Sequence, residues 1–266
     1  MADTYTHGHQ ESVLRSHRWR TAENSAGYLL PLLEPGTALL DVGCGPGTIT
    51  IDLAGRVAPG DTIGVDREPS VVAAAQRLLG SRPASHIEFR TGDAYALEFE
   101  DGSFDVVHAH QLLQHLSDPV AALAEMRRVL RPGGVLAVRD SDYGAFVWAP
   151  SDPLLDRWMQ LYHDVCTRNG ADADAGRRLL GWARTAGFTE ITPTSSTWTF
   201  AEPESRRWWG ELWADRMTSS SLADQAVEYG LSSRDELESI AAAWRGWLEH
   251  DEAIFIVVHA ELIARR

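Results

Sequence analysis

Residues 37–47, TALLDVGCGPG, constrain the fold more than any other stretch of the chain. A short apolar run, Ala38-Leu39-Leu40, ends at an acid, Asp41, and glycines follow at Gly43, Gly45 and Gly47. An apolar strand that enters a glycine-rich turn and then a helix is the start of a nucleotide-binding βαβ unit. Glycine is needed there because the backbone turns sharply and a ligand must approach closer than a Cβ allows. An ordinary glycine turn would also fit eleven residues, so the remaining segments have to discriminate.

They repeat the same rhythm. Apolar positions from Val13 to Leu30 predict a helix over 10–33, broken by Pro31 and Pro35. A helix over 48–57 follows the loop, DTIGVD (61–66) reads as a second strand ending in an acid, and Pro69 and Gly80 bracket the next helix. HIEFRTGDA and FDVVHAH supply strands three and four, a helix begins at Asp118-Pro119, and VLAVRD is strand five. Alternating strands and helices predict a mostly parallel sheet covered on both faces. Beyond Asp140 come a capped helix opened by Asp152, a second helix over 175–188, a sixth strand at 189–200, a Trp-rich helical stretch at 202–250 whose last helix opens with Ser233 and Glu236 in capping-box spacing, and a seventh strand at 253–266. The expected organisation is an N-terminal helical lid segment, 1–34, and one α/β core, 35–266, with cap insertions at 143–172 and 202–250.

Composition excludes several classes of function. With 266 residues and a net charge of −14, the chain lacks the clustered Lys and Arg that a nucleic-acid partner requires. The longest apolar stretch, AIFIVVHA, is too short to insert in a bilayer, and the polar start MADTYTHGHQ is not a leader, so the expected location is cytoplasmic. Two cysteines, Cys44 and Cys166, offer neither a disulfide framework nor a zinc pattern. Oligomeric state is not legible.

The spacing of the loop selects its ligand. The dinucleotide fingerprint is G-x-G-x-x-G, with a pyrophosphate on the helix N-terminus. Here the spacing is G-x-G-x-G with Asp41 immediately upstream. A carboxylate at that place repels a pyrophosphate but suits S-adenosyl-L-methionine, which carries a sulfonium and an ammonium. Asp66, ending strand two, is placed for both ribose hydroxyls, and Gly92-Asp93-Ala94, ending strand three, for the adenine amine. An NAD oxidoreductase is disfavoured on the same grounds.

LLDVGCGPG, IGVD, GDA, FDVVHAHQLLQHLSDP and LRPGGVLAVRD stand in the order seen in class I S-adenosylmethionine-dependent methyltransferases, and the chain resembles their ubiquinone and menaquinone methylase branch. The resemblance implies a Rossmann-like seven-stranded sheet of order 3-2-1-4-5-7-6 with strand seven antiparallel. It implies that Gly43, Gly45 and Gly47 line the methionine and ribose portion, that Asp41 orients the loop or the ammonium, and that the backbone of His108 holds the methionine end. Arg20 would pair with the cofactor carboxylate. Arg67 departs from the family, which often has an apolar residue against adenine there.

The cap insertions emerge after strands five and six, at the carboxyl edge of the sheet where ligands bind. Nine of ten tryptophans lie at or beyond Trp148. Trp208, Trp209 and Trp213 are read as lining a pocket for a small hydrophobic or aromatic acceptor, with Gln111 and His163 as further contacts; cap-core packing is the alternative for the tryptophans and for His163. Methyl transfer is an in-line displacement that rests largely on positioning, with a base where the acceptor carries a proton. His110, past strand four, is the expected base, and Asp142 and Tyr143 complete the catalytic candidates; His115 reads as structural. No metal is expected. An enzyme of the same fold that binds S-adenosylmethionine without transferring its methyl, such as a cyclase or decarboxylase, is the alternative, and a non-catalytic interaction module would not need the full set of cofactor positions.

Overall fold

A computed structural model describes Thr6, Ser16 and residues 19–80 and 86–266. The apolar run before the glycine loop becomes β1 (Leu39–Val42), buried along its whole length at the centre of a sheet. It pairs in parallel with β2 (Thr62–Asp66) on one side and β4 (Phe104–His110) on the other. β3 (Ile87–Thr91) extends the sheet beyond β2, and β5 (Leu130–Ser141) extends it beyond β4, all parallel. β8 (Ile254–Arg265) then runs antiparallel between β5 and β7 (Glu190–Phe200). The expected order of the seven long strands is therefore present, with the antiparallel strand inside the edge strand.

One strand was not expected. β6 (Val147–Ala149) pairs antiparallel with Ile254–Ile256 of β8. β7 pairs with the same Ile256 and Phe255, so β6 must lie on the opposite edge of β8, continuing the line of β5.

Helices follow their sequence signals with two corrections. α1 is only Ala22–Ser25, opened by a capping box of Thr21 and Asn24, and a 3-10 turn follows at Leu30–Leu32. Residues 19–33 thus do not form one helix; the earlier part of the expected helix and of the lid segment 1–34, apart from Thr6 and Ser16, lies outside the described residues. Pro31 has no N–H to continue a helix. Second, α4 (Pro119–Val129) hands over to β5 without a loop: Leu130 already pairs with Phe104, and a bulge over Arg131–Gly134 intervenes before Val106 meets Val135. Gly133, at φ 79°, supplies the left-handed residue that this bulge requires.

The other helices are α2 (Thr48–Val57), α3 (Pro69–Gly80), α5 (Pro153–Arg168), α6 (Ala175–Thr185), α7 (Pro203–Ser219), α8 (Ser221–Glu228) and α9 (Arg234–Leu248). Asp152 and Ser233 cap α5 and α9 as expected. Glu236 does not complete the capping box, because its carboxylate holds Arg157 and Ser232 instead. On one sheet face, Leu40, Val107, Leu136 and Val138 pack against α4 and α6. On the other, Leu39, Val106 and Ala137 pack against Ala22, Leu29 and Leu53. A separate aromatic core joins α5, α7, α8 and α9 around Trp158, Trp213, Trp244 and Phe255.

Candidate active site

The glycine loop is built by backbone geometry. Gly43, Gly45 and Gly47 all have positive φ, at 74°, 56° and 84°, a region that other residues enter only under strain. Gly43 donates its N–H to Val65 and Gly45 to the Asp66 carboxylate at 3.0 Å, so the loop is bolted to β2. The second Asp66 oxygen accepts from Glu68 N–H. Gly47 serves packing rather than the ligand: a Cβ there would sit 2.6 Å from the Phe89 ring, and the residue does not line the cavity.

Asp41 is buried and spends both oxygens inside the protein. One meets His108 Nδ1 at 2.7 Å and the other accepts from Thr50 Oγ1 at 2.5 Å. It thereby ties β1 to β4 and to the first turn of α2, which fixes the loop between them. Of its two expected roles, this geometry supports orienting the loop. His108 itself is fully buried within the sheet and does not reach the cavity; His110 and Gln111 form the edge instead.

One cavity of about 360 Å³ runs from the glycine loop to the cap, within the usual range for small-molecule sites. Its first half is lined by Asp41, Gly43, Gly45, Asp66, Arg67, Gly92, Asp93 and Ala94. Its second half is lined by Arg20, His110, Gln111 and Tyr143 and by an aromatic wall of Trp198, Trp208, Trp209 and Phe146. His110 sits between the halves. It is 6% exposed, and neither ring nitrogen has a hydrogen-bond partner among the described residues. Burial pushes its pKa well below the ordinary histidine value, and the charges of Arg20 and Arg139 push it further, so the ring is neutral.

A scan of family models matches a methyltransferase domain over residues 33–188. An uncharacterized methyltransferase of Schizosaccharomyces pombe is 33% identical over 98% of this chain and 96% of its own length. The chain belongs to the S-adenosylmethionine-dependent methyltransferases. A demethylmenaquinone methyltransferase of Lactococcus lactis is 36% identical over 48% of each chain, in line with the quinone-methylase resemblance. Among solved structures, the [4+2]-cyclase SpnF is 26% identical with a TM-score of 0.56, covering 99% of this chain and 88% of that one.

Three other expected site residues of this methyltransferase lie off the cavity, and a fourth, Tyr143, lines it. Asp142 is buried in an ion pair with Arg177, whose backbone N–H it also accepts, and it does not line the cavity. His163 lies across α5 from the site, bonded to Met159 O and to Asp174 at 2.9 Å, where burial in the cap was the alternative reading. Trp213 is fully buried in the cap core, edge-on to Trp158 at 4.6 Å, so the packing alternative holds for it. Tyr143 does reach the cavity, with its ring stacked on Tyr162 at 3.9 Å. His115 also lines the cavity, with burial pushing its pKa down to about 3.

Several lining residues escaped the sequence reading. Trp19 packs edge-on against Trp198 at 5.1 Å and tilted against Trp208 at 5.4 Å, so the segment before α1 closes one side of the methyltransferase cavity. Trp198 donates its indole N–H to Asn24 O at 2.7 Å. The alternation Ser196, Trp198, Phe200 along β7 was the available signal. Ser141 and Arg216 gave none, because each reaches the cavity only through tertiary packing. Among the described residues no cluster of three metal-ligating side chains occurs, and no helix is long and apolar enough to cross a membrane.

Proposed function

We propose that the methyltransferase seats S-adenosylmethionine along the first half of the cavity and a small, planar, hydrophobic or aromatic acceptor against the tryptophan wall. The observation that supports this most is the continuity of one cavity from the glycine loop to Trp198, Trp208 and Trp209, with His110 at the junction. Asp66 already holds the loop through Gly45, and its outward lone pairs take the two ribose hydroxyls. Asp93 and Ala94 flank the adenine, and Arg67, exposed on the rim, covers its open face. Arg20, which the resemblance assigned to the cofactor carboxylate, stands beside Gln111 at the start of the second half, where the cofactor's amino-acid end would reach it.

The sulfonium supplies an activated methyl carbon, and S-adenosylhomocysteine is what leaves. This chain contributes alignment and exclusion of water, the larger part of the rate in such a displacement. Neutral His110 receives the acceptor proton, which suits an acidic hydroxyl such as a phenol better than an alcohol, because the imidazolium is disfavoured by two nearby arginines. Non-transferring relatives of the fold are the competing reading, and product mass separates them. Incubation with methyl-labelled S-adenosylmethionine and a panel of phenols and quinols should give a product heavier by one methylene, with stoichiometric S-adenosylhomocysteine. Turnover of the panel without label transfer would refute the reading. Asp66→Ala should weaken S-adenosylhomocysteine binding by well over ten-fold by calorimetry, since two hydrogen bonds from neutral hydroxyls to a charged carboxylate, each worth about 1.5–3 kcal/mol, are lost. An unchanged affinity would remove Asp66 from the ribose site.

A further inference from the structure

Two separate groups of rings border the second half of the cavity, and one described residue joins them. On one side, Trp208 and Trp209 of α7 stand against Phe200 of β7, with ring centroids 5.8 and 4.3 Å from it. On the other, Trp198 of β7 stands 5.9 Å from the His110 ring. Among the described residues, Trp198 makes no ring contact with either α7 tryptophan; its ring partners are Trp19, His110 and His259. Trp19 bridges the gap. Its ring meets Trp198 edge-on at 5.1 Å, Trp208 at 5.4 Å and Phe200 at 5.8 Å, spacings of aromatic rings in contact. It lines the cavity and also leaves 38% of its surface in solvent, so it stands at the boundary between the acceptor half and water.

The placement of Trp19 is built locally. The capping box of α1 fixes Asn24, whose Oδ1 accepts from Thr21 N–H at 2.9 Å. Asn24 Nδ2 donates to Trp19 O at 3.1 Å, and Asn24 O accepts the Trp198 indole N–H at 2.7 Å. One four-residue helix therefore sets Trp19 and Trp198 relative to each other. Core packing does not explain this arrangement, because Trp19 belongs to none of the hydrophobic clusters of the sheet or the cap.

We infer that Trp19 determines which acceptors the second half admits, favouring a compact single ring over one extended away from the reacting hydroxyl. The inference rests on the reading of the tryptophan wall as the acceptor site. A phenol that presents its hydroxyl to His110 lies beside Trp198, and the next ring along that line is Trp19. A substituent para to the hydroxyl has to pass the Trp19 indole to reach water. A compact ring gains that indole as a further apolar contact, whereas a longer one meets it as a clash, and discrimination follows from the difference.

Calorimetry on the S-adenosylhomocysteine complex tests this with 4-methylphenol and 4-phenylphenol, which differ in the length of the para substituent. The wild type should bind 4-methylphenol about ten-fold or more tighter, against the order of their hydrophobicity. Trp19→Ala should weaken 4-methylphenol by about ten-fold while 4-phenylphenol binds as tightly or tighter, so that the preference vanishes or inverts. Trp19→Phe should keep the preference, since a ring still bridges Trp208 and Trp198. Both variants should hold S-adenosylhomocysteine and unfold in urea close to the wild type, because Trp19 lies outside the cores. Equal weakening of both phenols in Trp19→Ala, or a preference left intact there, overturns the inference and leaves the acceptor site standing. A wild type that binds both phenols equally does the same. A wild type that binds S-adenosylhomocysteine but neither phenol refutes the tryptophan wall as the acceptor site, and this inference with it.

Discussion

Mild acidification should destabilise this protein through its interior rather than its surface. Three imidazoles are held neutral by burial: His115, pushed down to about 3, and His110 and His259, both well below the ordinary value. In the unfolded chain each titrates near about 6.5, so between pH 6 and 5 that state carries between roughly two and three protons which the fold refuses. Asp140 works the other way. Burial raises its carboxyl to about 7, so the fold keeps a proton that the unfolded chain, titrating near about 3.9, releases. The net excess of close to two protons lies on the unfolded side, and stability rises with pH wherever the unfolded state binds more. At about 1.36 kcal/mol per proton per pH unit, stability should fall by roughly 2–3 kcal/mol from pH 6 to pH 5. Urea unfolding followed by tryptophan fluorescence at pH 7, 6 and 5 measures this directly. Asp140→Asn removes the opposing proton and should deepen the fall to about 3–4 kcal/mol. A stability that stays level across this interval, or a shallower slope in Asp140→Asn, would refute the account.

The division of the tryptophans is equally testable. Trp213→Ala should cost about 3–5 kcal/mol in urea unfolding with ligand affinity per folded molecule retained, whereas Trp208→Ala, at the half-buried rim, should cost far less stability but raise the acceptor KM. His110→Ala should lower turnover by about 10²-fold or more with S-adenosylhomocysteine affinity within a few-fold of wild type. Because the pKa of His110 lies well below the ordinary value, the wild-type rate should not drop between pH 8 and 6 from loss of this base; a drop centred near about 6.5 would point to a different, less buried group.

What was legible in the sequence is what local chemistry encodes. The strand, glycine loop and helix at 37–57 follow from side-chain types and spacing alone, and so do the caps at Asp152 and Ser233. The acids at strand ends, Asp66 and Asp93, fall on the cavity because parallel strands put their carboxyl ends at one edge. Asp142 was misplaced because its partner, Arg177, is 35 positions away and turns the carboxylate from the site. Trp209 and Trp213 are four residues apart on one face of α7, so what separates the cavity wall from the cap core is where along the helix that face meets β7, which periodicity along α7 does not reveal. The side-chain contacts of Arg20 with Gln111, Gln111 with His259, and His259 with Arg139 join positions up to 148 residues apart, and no local pattern announces them.

The cavity sits at a seam between two cores, and this explains why so many aromatic rings line it. Trp158, Trp213, Trp244 and Phe255 close a core that belongs to α5, α7 and α9. The sheet core under α4 and α6 shares none of these residues. Trp198, Trp209 and Phe146 stand between, each counted with the cap core yet presenting a side to the cavity. Trp209 is stacked at 4.3 Å on Phe200 of β7, so the wall is anchored to the sheet rather than to the cap alone. A planar acceptor slid against such a wall buries apolar area without reorganising either core, which limits the ordering cost of binding. It also couples binding to the stability of the seam: a ligand that bridges cap and sheet stabilises the folded chain in proportion to the logarithm of its saturation. S-adenosylhomocysteine, confined to the glycine-loop half, should protect mainly β1, α2 and β2 from hydrogen exchange. Protection of α7 then requires the acceptor half to be filled, and it therefore reports whether the tryptophan wall is where the second substrate lies.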